Sequence, residues 1–228
     1  MPYPHLDLQC ADARVDTTIR MFTEPSLREA HNLLMISFDD GGMPGHFGRA
    51  AAVMTLVTIA ATSAVRYMDL GKNKPSRLDS EIFAECLVAF FPWDDIGITD
   101  SEYIATHSRR PPDELRGVAA ETLYRALRNP LLHSGGAVSK RLSTKSNKRF
   151  PRVSIQHPFP GLSPQENDQY LCDWCRLPTL KGQEVMSFDE FEVKLVTRPL
   201  YWATRRMIEA FAADPLVQAD VARAHGIT

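Results

Sequence analysis

Asp113-Glu114-Leu115-Arg116-Gly117-Val118-Ala119-Ala120-Glu121-Thr122-Leu123-Tyr124-Arg125-Ala126-Leu127-Arg128 is the stretch on which the fold turns. Leu115, Val118, Ala119, Thr122, Leu123, Ala126 and Leu127 recur every three or four positions, the spacing of one face of an α-helix. Pro111-Pro112 opens the segment and Pro130 closes it. Proline has no N–H to bond back to Ala126, and it pushes Asn129 out of the helical region. Asn129 is then suited to cap a new short helix with Pro130 in its first turn.

That break matters because of the residues on either side of it. In an unbroken helix, positions five apart lie about 140° round the axis and do not share a face. With a break between them, Arg128 ends one helix and His133 sits in the first turn of the next, so both can reach one cleft. A guanidinium is permanently charged and an imidazole titrates near neutrality. Together they are the minimum for cutting RNA without a metal. One takes the proton from a ribose 2′-hydroxyl, and the other holds the phosphate whose charge grows in the transition state. The chain also supplies a decoy of the same spacing, Arg152-Val153-Ser154-Ile155-Gln156-His157. Its intervening residues alternate as in a strand, and no polar residue follows the arginine.

Leu123-Tyr124-Arg125-Ala126-Leu127-Arg128-Asn129-Pro130-Leu131-Leu132-His133 resembles the signature of the HEPN superfamily: an arginine, a polar follower, and a histidine with four to six residues between it and the arginine. The resemblance spans about a dozen residues and fits a helical pattern from roughly Thr17 to Val138. It implies an all-α domain and a metal-independent endoribonuclease, of the sort found among toxins and defence proteins. It implies further that His133 is the acid/base, Arg128 the phosphate clamp and Asn129 an orienting hydrogen-bonder. The active form would be a homodimer with the motifs of both subunits facing each other, and an antitoxin or other protein partner is compatible with it. The family also holds members that bind RNA, a nucleotide or a protein without cutting, and the motif leaves that alternative open.

Composition bounds the rest. At 228 residues and 44% hydrophobic content, the chain can bury one sizeable core. The reading is a single domain over 1–228, with a helical core at about 17–138, a basic segment, loop and short strands at 139–198, and C-terminal helices at 199–228. Met1-Pro2-Tyr3-Pro4-His5-Leu6-Asp7 lacks the basic start and apolar run of a secretory signal, which predicts a cytoplasmic protein. Ala50 to Val65 is uncharged but short for a membrane span and carries Thr55, Thr58, Thr62 and Ser63, so it reads as a buried helix. Gly41-Gly42-Met43-Pro44-Gly45-His46 shares only its glycines with a phosphate loop, since no Gly-Lys-Ser/Thr follows.

Elsewhere the pattern predicts helices over Ser26–Ser37, His46–Asp69, Asp79–Phe91 and Pro199–Ala213, with a last short one from Leu216. An antiparallel four- or five-helix bundle would bury their stripes. Val153–His157 and Phe191–Val196 alternate as strands and suggest an antiparallel pair, with Pro158–Gln183 between them read as a long loop. The fold class is thus mainly α: a HEPN-like bundle with a small β-containing C-terminal elaboration.

Net charge is −2, which excludes a generic polyanion binder, yet Ser139–Arg152 holds six basic residues and no acid. Lys140, Arg141, Lys145, Lys148, Arg149 and Arg152 begin a few residues after His133 and are placed to steer an RNA backbone toward it. A solvated loop is the plainer meaning of such a run. No cofactor is implied. Cys172-Asp173-Trp174-Cys175 is a lone Cys-x-x-Cys without the second pair that a zinc knuckle needs, so Cys172 and Cys175 are weak metal candidates. Cys10 and Cys86 are isolated.

Overall fold

The computed structural model describes residues 3–39, 48–72, 74–92, 97–99, 117, 120, 123–124, 152–156, 170–176 and 191–227. These are mainly helical. The chain divides into two compact units, Met1–Pro92 with Tyr201–Thr228, and Trp93–Leu200.

The first helix, α1, runs Ala13–Asp39. The Asp12 carbonyl accepts from Asp16 N at 3.1 Å, and its carboxylate from Arg14 N at 2.7 Å, so main chain and side chain of Asp12 both serve the first turn. The expected start at Ser26 is therefore corrected by thirteen residues, with Pro25 inside the helix. Val15, Ile19, Thr23, Leu27, Ala30, His31 and Leu34 form one buried stripe that passes Pro25 without a break. Pro25 itself is exposed, on the face where the carbonyl it leaves unbonded can take water.

Helix α2, Gly48–Val65, is buried along Ala51, Ala52, Leu56 and Ile59. Its hydroxyls are satisfied within the helix: Thr55 donates to the Ala51 carbonyl, Thr58 to Met54 and Thr62 to Thr58, each at 2.8 Å. It ends four residues short of the expected Asp69. Tyr67 N bonds the Ala64 carbonyl and Ser76 N the Tyr67 carbonyl, which turns the chain into a small antiparallel pair, β1 (Met68–Asp69) and β2 (Lys74–Pro75). Helix α3, Asp79–Phe90, buries Ile82, Phe83, Cys86 and Leu87 as its spacing predicts. Pro92 holds Phe91 extended, at φ −71° and ψ 137°, and the helix stops there.

At the other end, α4 (Thr197–Ala213) buries Leu200, Ala203, Met207, Ile208 and Phe211, the five residues its periodicity names. The Asp214 side chain then caps α5 (Pro215–Ala224), accepting from Leu216 N at 2.7 Å and Val217 N at 3.2 Å. Gly226, at φ 63°, closes α5. Ile227 N bonds the Ala222 carbonyl at 2.8 Å and Gly226 N the Arg223 carbonyl at 3.4 Å, the paired bonds of a Schellman ending. In this unit α1 packs on α2, α2 on α3, and α5 against α1 and β1. Phe90 of α3 meets Phe211 of α4 edge-on, ring centroids 5.4 Å apart.

The second unit carries a four-stranded mixed sheet, in the order β3-β5-β6-β4. Its strands are β3 (Gly97–Thr99), β4 (Arg152–Gln156), β5 (Tyr170–Arg176) and β6 (Phe191–Val196). Three expectations are corrected here. First, β4 and β6 pair in parallel, not antiparallel. Alternation reports the two-residue period of a strand and carries no information on direction. Second, the expected loop contains β5, which lies antiparallel to β6. Third, β structure is not confined to the C-terminal part, since β3 precedes the motif helix and pairs in parallel with β5. Within the motif helix itself, Gly117 and Ala120 are helical and Leu123-Tyr124 form a widened helical turn. Ala120, Leu123 and Tyr124 are buried. Of these, Leu123 lies on the stripe that the spacing predicts, and Ala120 and Tyr124 lie beside it.

Candidate functional site

The motif residues Arg128, Asn129 and His133 lie outside the described residues, as do the helix break at Pro130 and the basic residues Lys140, Arg141, Lys145, Lys148 and Arg149. Arg152 opens β4, in register with Glu192 of β6. Cys172 and Cys175 both fall on β5, in register with Leu195 and Glu192. An extended strand puts positions three apart about 10 Å apart along its length and on opposite faces. It lacks the tight turn by which a Cys-x-x-Cys knuckle offers both sulfurs to one ion. Among the described residues, no group of three or more His, Cys, Asp or Glu is arranged to hold a metal ion.

The described residues do bring together a partly buried aromatic and cationic cluster in the first unit. It is built on α1, α4 and the irregular segment 3–10. His31, 2% exposed, lies on the buried stripe of α1, and Tyr201, 1% exposed, on that of α4. The Tyr201 hydroxyl and His31 Nδ1 share a hydrogen bond of 3.3 Å. Tyr3 sets its ring edge-on to His31 and His5, with centroids 5.7 and 5.9 Å away. The guanidinium carbons of Arg28 and Arg205 lie over the Tyr3 ring, 5.3 and 5.7 Å from its centroid. Arg205 also lies over Trp202, at 5.6 Å.

Arg205 fixes the segment in place. Only 6% exposed, it donates to the Pro4 carbonyl and, at 2.9 Å, to the His5 carbonyl. Glu209, 3.8 Å away, balances its charge and accepts from Asp7 N at 3.2 Å. Arg20 donates to the Leu6 carbonyl at 3.2 Å, and Gln218 bonds both the Gln9 carbonyl and Ala11 N. Burial, with Tyr201 nearby and only partly offset by Arg205, pushes the Tyr3 phenol up to about 12. Burial raises Tyr201 too, against the opposing hydrogen bond from Arg205. The arrangement is a clamp of cations, rings and main-chain carbonyls.

A second network joins α2, α3 and α5 near the surface. Arg66 pairs with Asp220 at 2.8 Å, Arg77 with Glu85 at 2.6 Å, and the Tyr67 hydroxyl donates to Glu85 at 2.6 Å. Burial works to raise the Glu85 carboxyl, but the hydrogen bonds from Tyr67 and Arg77 outweigh it and hold the group below its usual range. His225, at the C-terminal cap of α5, reaches the Val65 carbonyl through Nε2 at 3.0 Å and packs near-perpendicular to the Phe22 ring.

The sequence carries a signal for the first cluster that periodicity alone passes over. Tyr201, Thr204, Arg205 and Ile208 share one helical face, so an arginine interrupts a stripe that is otherwise buried. His31 interrupts the stripe Leu27, Ala30, Leu34 in the same way. Charged or titratable residues at buried positions call for a polar partner; Arg205 meets the Pro4 and His5 carbonyls, and His31 the Tyr201 hydroxyl. No protein-family model, curated protein or solved structure matches this chain.

Proposed function

We propose that this protein is a metal-independent endoribonuclease of HEPN type, with a role in toxin or defence systems. The observation that carries the reading is the motif Arg128-Asn129 with His133 four residues beyond the asparagine, divided by Pro130. The mainly helical character of the described residues supports it. So does the burial of Ala120, Leu123 and Tyr124 in the turns that lead to Arg128.

In this reading His133 takes the 2′-hydroxyl proton of the ribose and later returns a proton to the leaving 5′-oxygen. Arg128 holds the phosphate through a planar two-pronged contact and stabilises the charge that builds on it. Asn129 orients the phosphate or the imidazole by a hydrogen bond. The 2′-oxygen attacks the adjacent phosphorus, the bond to the 5′-oxygen breaks, and the products are a 2′,3′-cyclic phosphate and a 5′-hydroxyl. A homodimer pairs two motifs across a two-fold axis, and Lys140 to Arg152 draws the RNA backbone toward them.

The experiment is incubation of the purified protein with RNA in EDTA, with the new termini typed chemically. Cyclic-phosphate ends are expected. Intact RNA that nonetheless stays bound would assign the chain to the non-catalytic members, and 3′-hydroxyl ends would require a different mechanism. Among the described residues, no helix is long and apolar enough to cross a membrane.

A further inference from the structure

The Tyr3 ring is held as proteins hold a nucleobase. A flat aromatic ring lies under two guanidinium groups, Arg28 and Arg205, with the His31 imidazole nearly perpendicular to it, 5.7 Å between centroids. The fit is incomplete for a tyrosine. The Tyr3 hydroxyl is buried without a hydrogen-bond partner among the described residues, and so is Nε1 of Trp202, the other ring that Arg205 covers. A buried polar atom left unbonded is unfavourable, so this seat is occupied at a penalty.

The segment bearing the ring is held at one point. Residues 3–5 have no regular secondary structure, and Arg205 holds their main chain through the bonds it donates to Pro4 and His5. Leu6 and Leu8, by contrast, are buried and anchor the chain beyond them. A hinge between His5 and Leu6 would free the ring while leaving the rest of the segment docked. Arg28, with 54% of its side chain exposed, lies over the same ring and within reach of a phosphate from solvent. Glu24, the acid beside it, is already shared between Arg20 and Arg28.

We infer that Tyr3 is a built-in occupant of a base-binding seat, and that a nucleobase carrying a phosphate displaces it to stack on Arg205 with its phosphate on Arg28. The base comes from a mononucleotide or from single-stranded RNA. The inference requires binding only, so it stands or falls independently of cleavage.

The test is calorimetric titration of the full chain with two probes, AMP and a short 2′-O-methyl oligoadenylate that the chain cannot cleave. Tyr3→Ala removes the competitor. Without the ring's contacts to the two guanidinium groups the open fraction, and with it the affinity, should rise about tenfold. A gain for AMP identifies a mononucleotide site, and a gain for the oligonucleotide alone identifies RNA. Adding Arg28→Gln should abolish the gain. Tyr3→Phe keeps the ring but sheds the unbonded hydroxyl, which strengthens the closed form and should weaken binding about fivefold. Should Tyr3→Ala fail to fold, the Tyr3→Phe arm decides alone. Absence of binding in every variant, Tyr3→Ala no tighter than the parent, or Tyr3→Phe no weaker than it would overturn the inference.

Discussion

Arg205→Ala is the perturbation that probes the first unit most sharply. Arg205 donates two charge-assisted hydrogen bonds to main-chain carbonyls, Pro4 and His5, and lies over the rings of Tyr3 and Trp202. Bonds of that kind contribute roughly 1.5–3 kcal/mol each, and a desolvated cation–π contact about 1–2 kcal/mol. Against this stands the cost of keeping a guanidinium at 6% exposure, several kcal/mol that the substitution relieves. The balance is a loss of about 3 kcal/mol, or a fall in Tm of roughly 6–12 °C for a chain of this size. The usual remedy for a buried ion, swapping both partners for apolar groups, does not apply, because the acceptors are backbone and remain after any mutation. Arg205→Met should therefore still lose about 2 kcal/mol, since it keeps the stem but leaves both carbonyls unbonded. Urea and thermal melts of the parent and both variants measure this. If Arg205→Ala lies within about 1 kcal/mol of the parent, the clamp merely offsets its own desolvation and the reasoning fails.

Other outcomes rest on the same geometry and on the basic segment. Replacing Lys145, Lys148 and Arg149 with Gln should weaken RNA binding and reduce its log–log salt slope by roughly 0.7 for each phosphate no longer neutralised; an unchanged slope would return that segment to a solvated loop. The Cys86 thiol, fully buried and pushed up to about 12, should resist alkylation in the native protein until global unfolding exposes it, as mass mapping of labelled thiols would show; fast labelling would contradict its place in the α3 core. Tyr3 favours its protonated form in the fold, about 12 against an ordinary 10.0, so its contribution is complete below about pH 10 and is lost as pH rises toward about 12. Tyr3→Phe should flatten that alkaline loss, and a denaturation midpoint that falls identically in both proteins would refute the assignment.

The legible part of the fold is local and periodic. The inward faces of α3 and α4 follow from spacing alone, because Ile82, Phe83, Cys86 and Leu87, and Leu200 through Phe211, repeat with the helical period and end at Pro92 and Asp214-Pro215. The expected start at Ser26 misses half of α1, whose buried stripe passes Pro25 because that proline lies on the exposed face. Directions and long-range pairings are not legible. Nothing in Val153–Gln156 or Phe191–Val196 encodes that they run parallel, and β5 is hidden when its seven residues are averaged with the proline-rich sequence around them. The Arg205 clamp escapes a sequence reading for a related reason. Its partners are carbonyls of Pro4 and His5, about 200 positions away, and a main-chain acceptor leaves no mark on residue type. The motif at Arg128 and His133 is the reverse case, legible in sequence because its chemistry rests on the identity of a few side chains.

The central claim is tested most directly by the rate of RNA cleavage in EDTA for the parent and for His133→Ala. With acid–base and electrostatic catalysis alone, losing the imidazole should slow cleavage by a factor of about 10² to 10⁴ while RNA binding largely persists. Arg128→Lys should not restore a lost Arg128, because an ammonium cannot make the planar contact. His157→Ala, the decoy, should cut at the parental rate. If the parent leaves RNA intact in EDTA, or if His133→Ala cuts as fast as the parent, the proposed nuclease mechanism is contradicted.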